Sequence, residues 1–230
     1  MSTQRHPHHD ERERIAPAEP SHAPEILVVI GGAEGGLGRW QSVVSAVARV
    51  LELELAVEAT PAVLEGKEPV DAVLERAAVV TGPVLVLPRL AAAPTAPALD
   101  SPVLGRALAP FDTSDEVAVV IRPLLARLQD AGVEVAQLHV VTTETMPAMW
   151  DDSGHHARAW HAELRRRHQV GTASVEVAAG APPAEVVSAR STTADLVVLC
   201  WKRVPHDGRA KVVRAVLSSI DVPVLLLPLA

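Results

Sequence analysis

Short, largely apolar runs, loosely alternating at 133–141, are separated by longer stretches in which apolar residues recur every three or four positions. The runs lie at residues 26–30, 53–57, 83–87, 106–111, 133–141, 175–178, 196–199 and 222–227. Strands apolar on both faces and joined through a helix read as buried neighbours in a parallel sheet, with helices covering both sides. Between them, Trp40, Val43, Val44, Val47, Val50 and Leu51 mark one helix, and residues 70–80 a second. A third carries Val117, Val120, Ile121, Leu124, Leu125 and Leu128 on one face. Asp112 to Glu116 offer its N-caps and first-turn acids, Gly132 its stop, and Pro123 removes a backbone donor and is expected to bend it. In the polar segment 142–168 the second part reads as helical, with Trp160 and Leu164 inward; Trp150 and Trp160 are expected to pin 151–168 to the body as an exposed insertion. Pro182 or Pro183 opens a helix running to about Thr192, and Val212, Val213, Val216 and Leu217 mark the last one.

The strand–helix order runs once over 25–90, stops in the Pro- and Ala-rich stretch 91–102, and restarts over 103–230. Residues 1–24 are charged, rich in Pro and His, and without hydrophobic period, the pattern of a disordered tail. Cover for the apolar runs at 84–87 and 224–227 is expected to come from packing the two halves together there.

Ligands of parallel sheets sit at the carboxyl ends of the strands, beside helix N-termini. The stretch 201–211 occupies such a place. It is basic, with Lys202, Arg203, Arg209, Lys211 and Arg214 around Gly208, and suits an anion held by side chains and a helix dipole. A solvated basic turn is the alternative, and Asp207 weakens the anion case. Cys200 reads as a small buried residue, since no His–Asp pattern points at it as a nucleophile. The glycine-rich turn at 31–38 lacks the Gly-Lys-Ser/Thr of a Walker loop and the Gly-x-Gly-x-x-Gly register, and Glu34 would repel an anion.

With 230 residues and a net charge of −7, the chain can bury a core and is a poor general nucleic-acid binder. One cysteine excludes an internal disulfide and suits a reducing cytoplasm; the strand-sized apolar runs indicate neither export nor membrane insertion. His6, His8, His9 and His22, and Asp151, Asp152, His155, His156 and His161, lack a converging ligand pattern, so no metal is expected.

From about 105 to 228 the chain resembles the universal stress protein family. Ala-Pro-Phe-Asp112-Thr-Ser114 is similar to a first strand ending in Val-Asp-Gly-Ser, and Leu138-His139-Val140-Val141 to a second-strand ending. Gly180-Ala-Pro-Pro-Ala184-Glu185 resembles the Gly-x-Pro-Ala turn, Ala194-Asp195-Leu196-Val197-Val198 the Ala-Asp-Leu-Ile-Val signature, and Val222-Pro223-Val224-Leu225 the Cys-Pro-Val-Leu ending. The resemblance implies an α/β fold of universal-stress type, Rossmann-like, with a parallel sheet between helices. It also implies dimerisation along the last strand and ATP or another adenine nucleotide as ligand. Residues 25–90 resemble a second, eroded copy, so the chain is expected to pair with itself, as a tandem pseudo-dimer or a homodimer; a single extended sheet is the alternative. The adenosine-holding aspartate falls on Asp112 and the base contact on Val140 or Val141. The phosphate loop departs from the family: the glycines of Gly-x-x-Gly fall on Cys200 and Arg203, and the later Gly-Ser pair on Ala210-Lys211.

These readings combine into a cytoplasmic, non-enzymatic module of stress response, without catalytic residues, acting through protein partners and binding neither nucleic acid nor membrane. Its ATP binding is weakened or lost, with Asp112, Val140, Val141, Cys200, Lys202, Arg203, Gly208, Arg209 and Lys211 as the nucleotide or anion residues. A ligand-free interaction scaffold and a nucleotide hydrolase are the alternatives.

Overall fold

The structure is a computed structural model and describes residues 25–30, 36–52, 54–58, 69–88, 104–112, 114–141, 155–179, 181–204 and 208–229. The expected tail, the linker at 91–102 and most of the first glycine-rich turn lie outside the described residues. In chain order the elements are β1 (Glu25–Ile30), α1 (Gly36–Leu51), β2 (Glu54–Glu58), α2 (Pro69–Val79) and β3 (Val84–Leu87). The second half begins with β4 (Arg106–Phe111), α3 (Asp115–Asp130), β5 (Glu134–Val141), α4 (His155–His168) and β6 (Ser174–Ala179). It closes with α5 (Pro183–Ser191), β7 (Leu196–Trp201), α6 (Gly208–Ser219) and β8 (Val224–Pro228).

Among the described residues these strands form one eight-stranded sheet in the order β2-β1-β3-β8-β7-β4-β5-β6. Every pairing within a half is parallel. The halves meet where β3 and β8 pair antiparallel, with Val84 opposite Leu226, Leu85 opposite Leu225 and Val86 opposite Val224. The side chains on both strands of this seam are buried on both faces, which is why their sequences are continuous apolar runs. Strand alternation sends Leu85, Leu87, Leu225 and Leu227 into the core shared with α1 and α3. Val84, Val86, Val224 and Leu226 go into the core shared with α2, α5 and α6.

Helix boundaries follow local chemistry. Ser114 caps α3, its hydroxyl accepting from the Val117 amide at 3.3 Å, and Asp115 and Glu116 supply the first-turn acids. The helix runs on through Pro123. The missing proline N–H leaves the Val119 carbonyl without its helical donor, and both residues are exposed, so water can serve it. Gly132, at φ +83°, stands just beyond the end of α3, where a left-handed residue is needed.

Two expectations need correction. Trp150 to Gly154 lie outside the described residues, but from His155 to His168 the segment is no exposed insertion: it is the crossover helix between parallel β5 and β6, with Leu164 and His168 buried. Its length and polarity suggested an insertion, but a βαβ crossover needs only one apolar stripe. The basic turn is also shorter than 201–211, since β7 extends to a buried Trp201 and α6 already begins at Gly208. No helix among the described residues is long and apolar enough to cross a membrane.

The seam sets a first test. Leu225 is fully buried opposite Leu85, so Leu225→Ala should cost about 2–5 kcal/mol in urea unfolding. Amides of β1 and β7 should lose protection together in hydrogen exchange; separate loss would show halves that fold independently of the seam.

Candidate functional site

In the second half the strand order reverses direction between β4 and β7, the topological switch point where an open α/β sheet has room for a ligand. The two ends of that seam differ. At its start, the Asp195 carboxylate accepts from the Gly105 amide at 2.9 Å and the Arg106 amide at 2.8 Å, while the Asp195 amide donates to the Arg106 carbonyl at 2.9 Å. The aspartate of the Ala-Asp-Leu motif thus acts structurally, tying β7 to β4. The ladder then covers only Ala107–Leu196 and Leu108–Val197. Beyond it β7 follows β8, pairing as far as Trp201 with Pro228, and the Trp201 carbonyl accepts from the Leu229 amide at 2.8 Å. The carboxyl ends of β4 and β7 are left without a ladder between them.

The expected site residues gather around this mouth but do not all face it. Asp112 follows β4, and its Oδ1 accepts from the Ser114 amide at 3.1 Å, an Asx turn that fixes the entry to α3. Val140 and Val141 end β5 with side chains packed in the core, so only their backbone is available to a ligand. Cys200 is half-buried and packs against the α1–α3 core. Lys202 reaches across the mouth to Glu116 at 3.6 Å. Gly208 opens α6, Arg209 follows it in the helix, and Lys211 is exposed one residue after the buried Ala210.

Arg203 is turned away from the mouth. Its Nη2 donates to the Thr81 carbonyl at 2.7 Å, on the connection between α2 and β3 in the other half. Arg214 likewise donates from Nε to Asp71 Oδ1 on α2 at 2.6 Å. Two arginines that look from the sequence like one basic cluster with Lys202 and Lys211 therefore fasten α2 to the β7–α6 region. The Arg203 backbone has φ +55°, a conformation that suits glycine. This is the position where the resemblance places the second glycine of Gly-x-x-Gly.

Beside the β4–α3 turn lies a cluster that sequence reasoning missed. His139 on β5 is fully buried, stacked on the equally buried His168 at 5.3 Å and 21°. Phe111 stands edge-on to both, at 5.1 and 6.3 Å. Burial, with smaller contributions from His168 and His161 against that of Asp112, pushes the His139 imidazole down to about 4. His168 Nε2 lies 3.0 Å from Asp115 Oδ1, and Arg167 Nη2 donates to both Asp115 oxygens at 2.8 and 2.6 Å. The hydrogen bond to His168 and the charge of Arg167 hold the Asp115 carboxyl below its ordinary value. Gln137 secures the same helix end: its Nε2 donates to the His168 carbonyl and its Oε1 accepts from the Val170 amide, each at 2.9 Å. Two polar residues spaced by two inside an apolar strand put both on one face, and that spacing was the available signal.

Of the acid and histidine residues considered for metal, Asp151 and Asp152 lie outside the described residues, as do the four tail histidines. Among the described residues no three His, Cys, Asp or Glu are grouped to hold an ion.

No protein-family model and no curated protein matches the sequence. Solved structures do match. A putative universal stress protein from Pseudomonas aeruginosa UCBPP-PA14 is 13% identical with a TM-score of 0.50, over 90% of this chain and 94% of its own. One from Archaeoglobus fulgidus DSM 4304 is 14% identical with a TM-score of 0.46, over 90% and 87%. A universal stress protein in complex with cAMP is 14% identical with a TM-score of 0.39, over 55% of this chain and 98% of its own. The likeness is one of fold, and the Pseudomonas match spans more of the chain than the second half alone, so it reaches into both halves.

Two measurements probe the site. Arg203→Ala and Arg203→Gly lose the same contact to Thr81, but only glycine suits φ +55°. The alanine variant should therefore be less stable than the glycine variant by about 1 kcal/mol in denaturant titration; equal stability would deny the strain. Because the folded value of His139 is lowered from 6.5 to about 4, its neutral form contributes stability that is complete above pH 6.5 and is lost as pH falls through the window to 4. Unfolding free energy should drop over that range by on the order of 3 kcal/mol more in the wild type than in His139→Phe.

Proposed function

We propose that this chain, which has the universal stress protein fold, is a non-enzymatic binding module that accepts the adenosine end of an adenine nucleotide and gives its phosphates little. The observation that carries this reading is the fate of the basic residues at the switch point. Arg203 is engaged with the Thr81 carbonyl, Arg214 with Asp71 and Lys202 with Glu116, leaving Lys211 as the exposed cation described at the start of α6.

A phosphate cradle of this kind depends on backbone N–H groups that a glycine loop lets close to the anion. Here the loop carries Trp201, whose indole is buried, and Arg203, whose side chain serves another contact. Each charge-assisted hydrogen bond lost from a triphosphate is worth about 1.5–3 kcal/mol, so the loss of two or three weakens ATP by about a thousandfold or more. The adenosine end keeps Asp112 and the backbone at the end of β5, beside an open β4–β7 seam. On this reading the module works in the cytoplasm in stress response, through protein partners, with ligand binding as its signal. Within the chain, the β3–β8 pairing stands where the last strands of two family subunits pair, which favours a tandem pseudo-dimer. A ligand-free scaffold is the second reading, favoured by the Asp112 carboxylate already serving its own turn.

Isothermal titration with adenosine, AMP, cAMP and ATP separates these. We expect adenosine and AMP to bind and ATP to bind no more than about threefold more tightly than AMP. A hundredfold preference for ATP, abolished in Lys211→Ala, would reinstate a phosphate site built on side chains. Heat from none of the four would leave the scaffold.

A further inference from the structure

The β4–α3 turn that carries Asp112 rests on the buried histidines. His139 pairs across the strands with Phe111, the residue before Asp112, and His168 is joined through Asp115 to the first turn of α3. Neither His139 nitrogen, nor Nδ1 of His168, meets a hydrogen-bond partner among the described residues. Both rings are shut off from solvent, at 0% and 1% exposure. A metal does not explain them: imidazole lone pairs lie in the ring planes, and two stacked planes inclined by 21° do not converge on one ion.

We propose that the His139–His168 stack is a proton-operated latch on the β4–α3 turn, closed while the unpartnered His139 ring is neutral and opened by proton uptake there. In the closed state the apolar stack with Phe111 seats the C-terminal end of α4 and the start of α3 against the sheet. A proton on His139 finds no acceptor there, and a charged His168 would lie one ring away. The charges around the pair are mixed. Asp112 on the turn favours a proton on His139; His168 and His161 on α4 oppose it, while Arg122 on α3 donates to the Arg167 carbonyl at 2.9 Å and holds that helix end in place. Asp115 is already shared between Arg167 and His168. The ring meets water and an ordinary proton affinity only if α4's end and α3's first turn lift. Acid thereby frees the turn carrying Asp112. The consequence for nucleotide rests on the function proposed above; the latch itself does not.

Native-state hydrogen exchange on the ligand-free full chain between pH 7.5 and 5 tests it. Protection of the Val117 and Ala118 amides should fall about tenfold per pH unit below 6.5, the slope for one proton taken up on opening. The β7 amides, from Leu196 to Leu199, should stay better protected at every pH, because they exchange only on global unfolding. His139→Phe keeps an aromatic in the stack and should abolish the slope. His139→Leu, likewise unable to take a proton, should do the same if the phenylalanine variant fails to fold. The latch is overturned by flat protection in the wild type, by Val117 and Ala118 protection equal to that of β7, or by an undiminished slope in the folded variants. Adenosine titration at pH 7.5 is read separately: no binding there, with the slope intact, rejects the nucleotide reading and keeps the latch.

Discussion

The antiparallel pairing of β3 with β8 is the constraint from which the rest of the molecule follows. Both strands are apolar on both faces, so each needs cover above, below and along its hydrogen-bonding edge. Pairing them supplies the edge and makes one sheet from two parallel halves. It also brings the helices of the halves together: Arg127 on α3 donates to the Leu51 carbonyl at the end of α1 on one face, and Arg214 meets Asp71 on the other. These half-exposed polar contacts are individually worth little. They decide something else, namely where the basic side chains near α6 point.

The switch point has been shaped by that demand. Its start is fastened by Asp195 to the backbone of β4, and its far end is opened because β7 turns to follow β8. The gap in the ladder at the carboxyl ends is thus a product of the strand pairing, not of the loop sequence. Into its rim the chain places an arginine at a glycine-like backbone angle, then directs the guanidinium to the other half. The same loop that would serve a phosphate serves the seam, and one guanidinium cannot do both. The histidine stack on the opposite side of β4 has a different logic, since His139 gives up hydrogen bonds for ring contact with Phe111 and His168 beside the turn at Asp112.

Much of this was legible in the chain itself. The strands at Arg106–Phe111 and Leu196–Trp201 and the helices between them follow from apolar period and from caps such as Ser114, because these depend on neighbours within a few residues. The seam strands were legible too: Val84–Leu87 and Val224–Pro228 are apolar without alternation, and such strands need cover on every side. Where local signals misled, a distant partner was the reason. The segment around His155–His168 looks like a polar insertion until His168 is seen buried against His139, and Trp201 looks like a turn residue until β8 is seen to extend β7.

By itself, then, the sequence determined an α/β sheet between helices, its two halves and the strands at which they join, since hydrophobic period and continuous apolar runs are short-range properties. It also determined that the turn after Leu196–Trp201 carries no glycine before Gly208. Only the tertiary structure decided that Arg203 and Arg214 answer to Thr81 and Asp71, 122 and 143 residues away, and that Lys202 answers to Glu116. Charge in a sequence says how many cations a turn carries; which anion or carbonyl each one meets depends on surfaces that the folded sheet brings together.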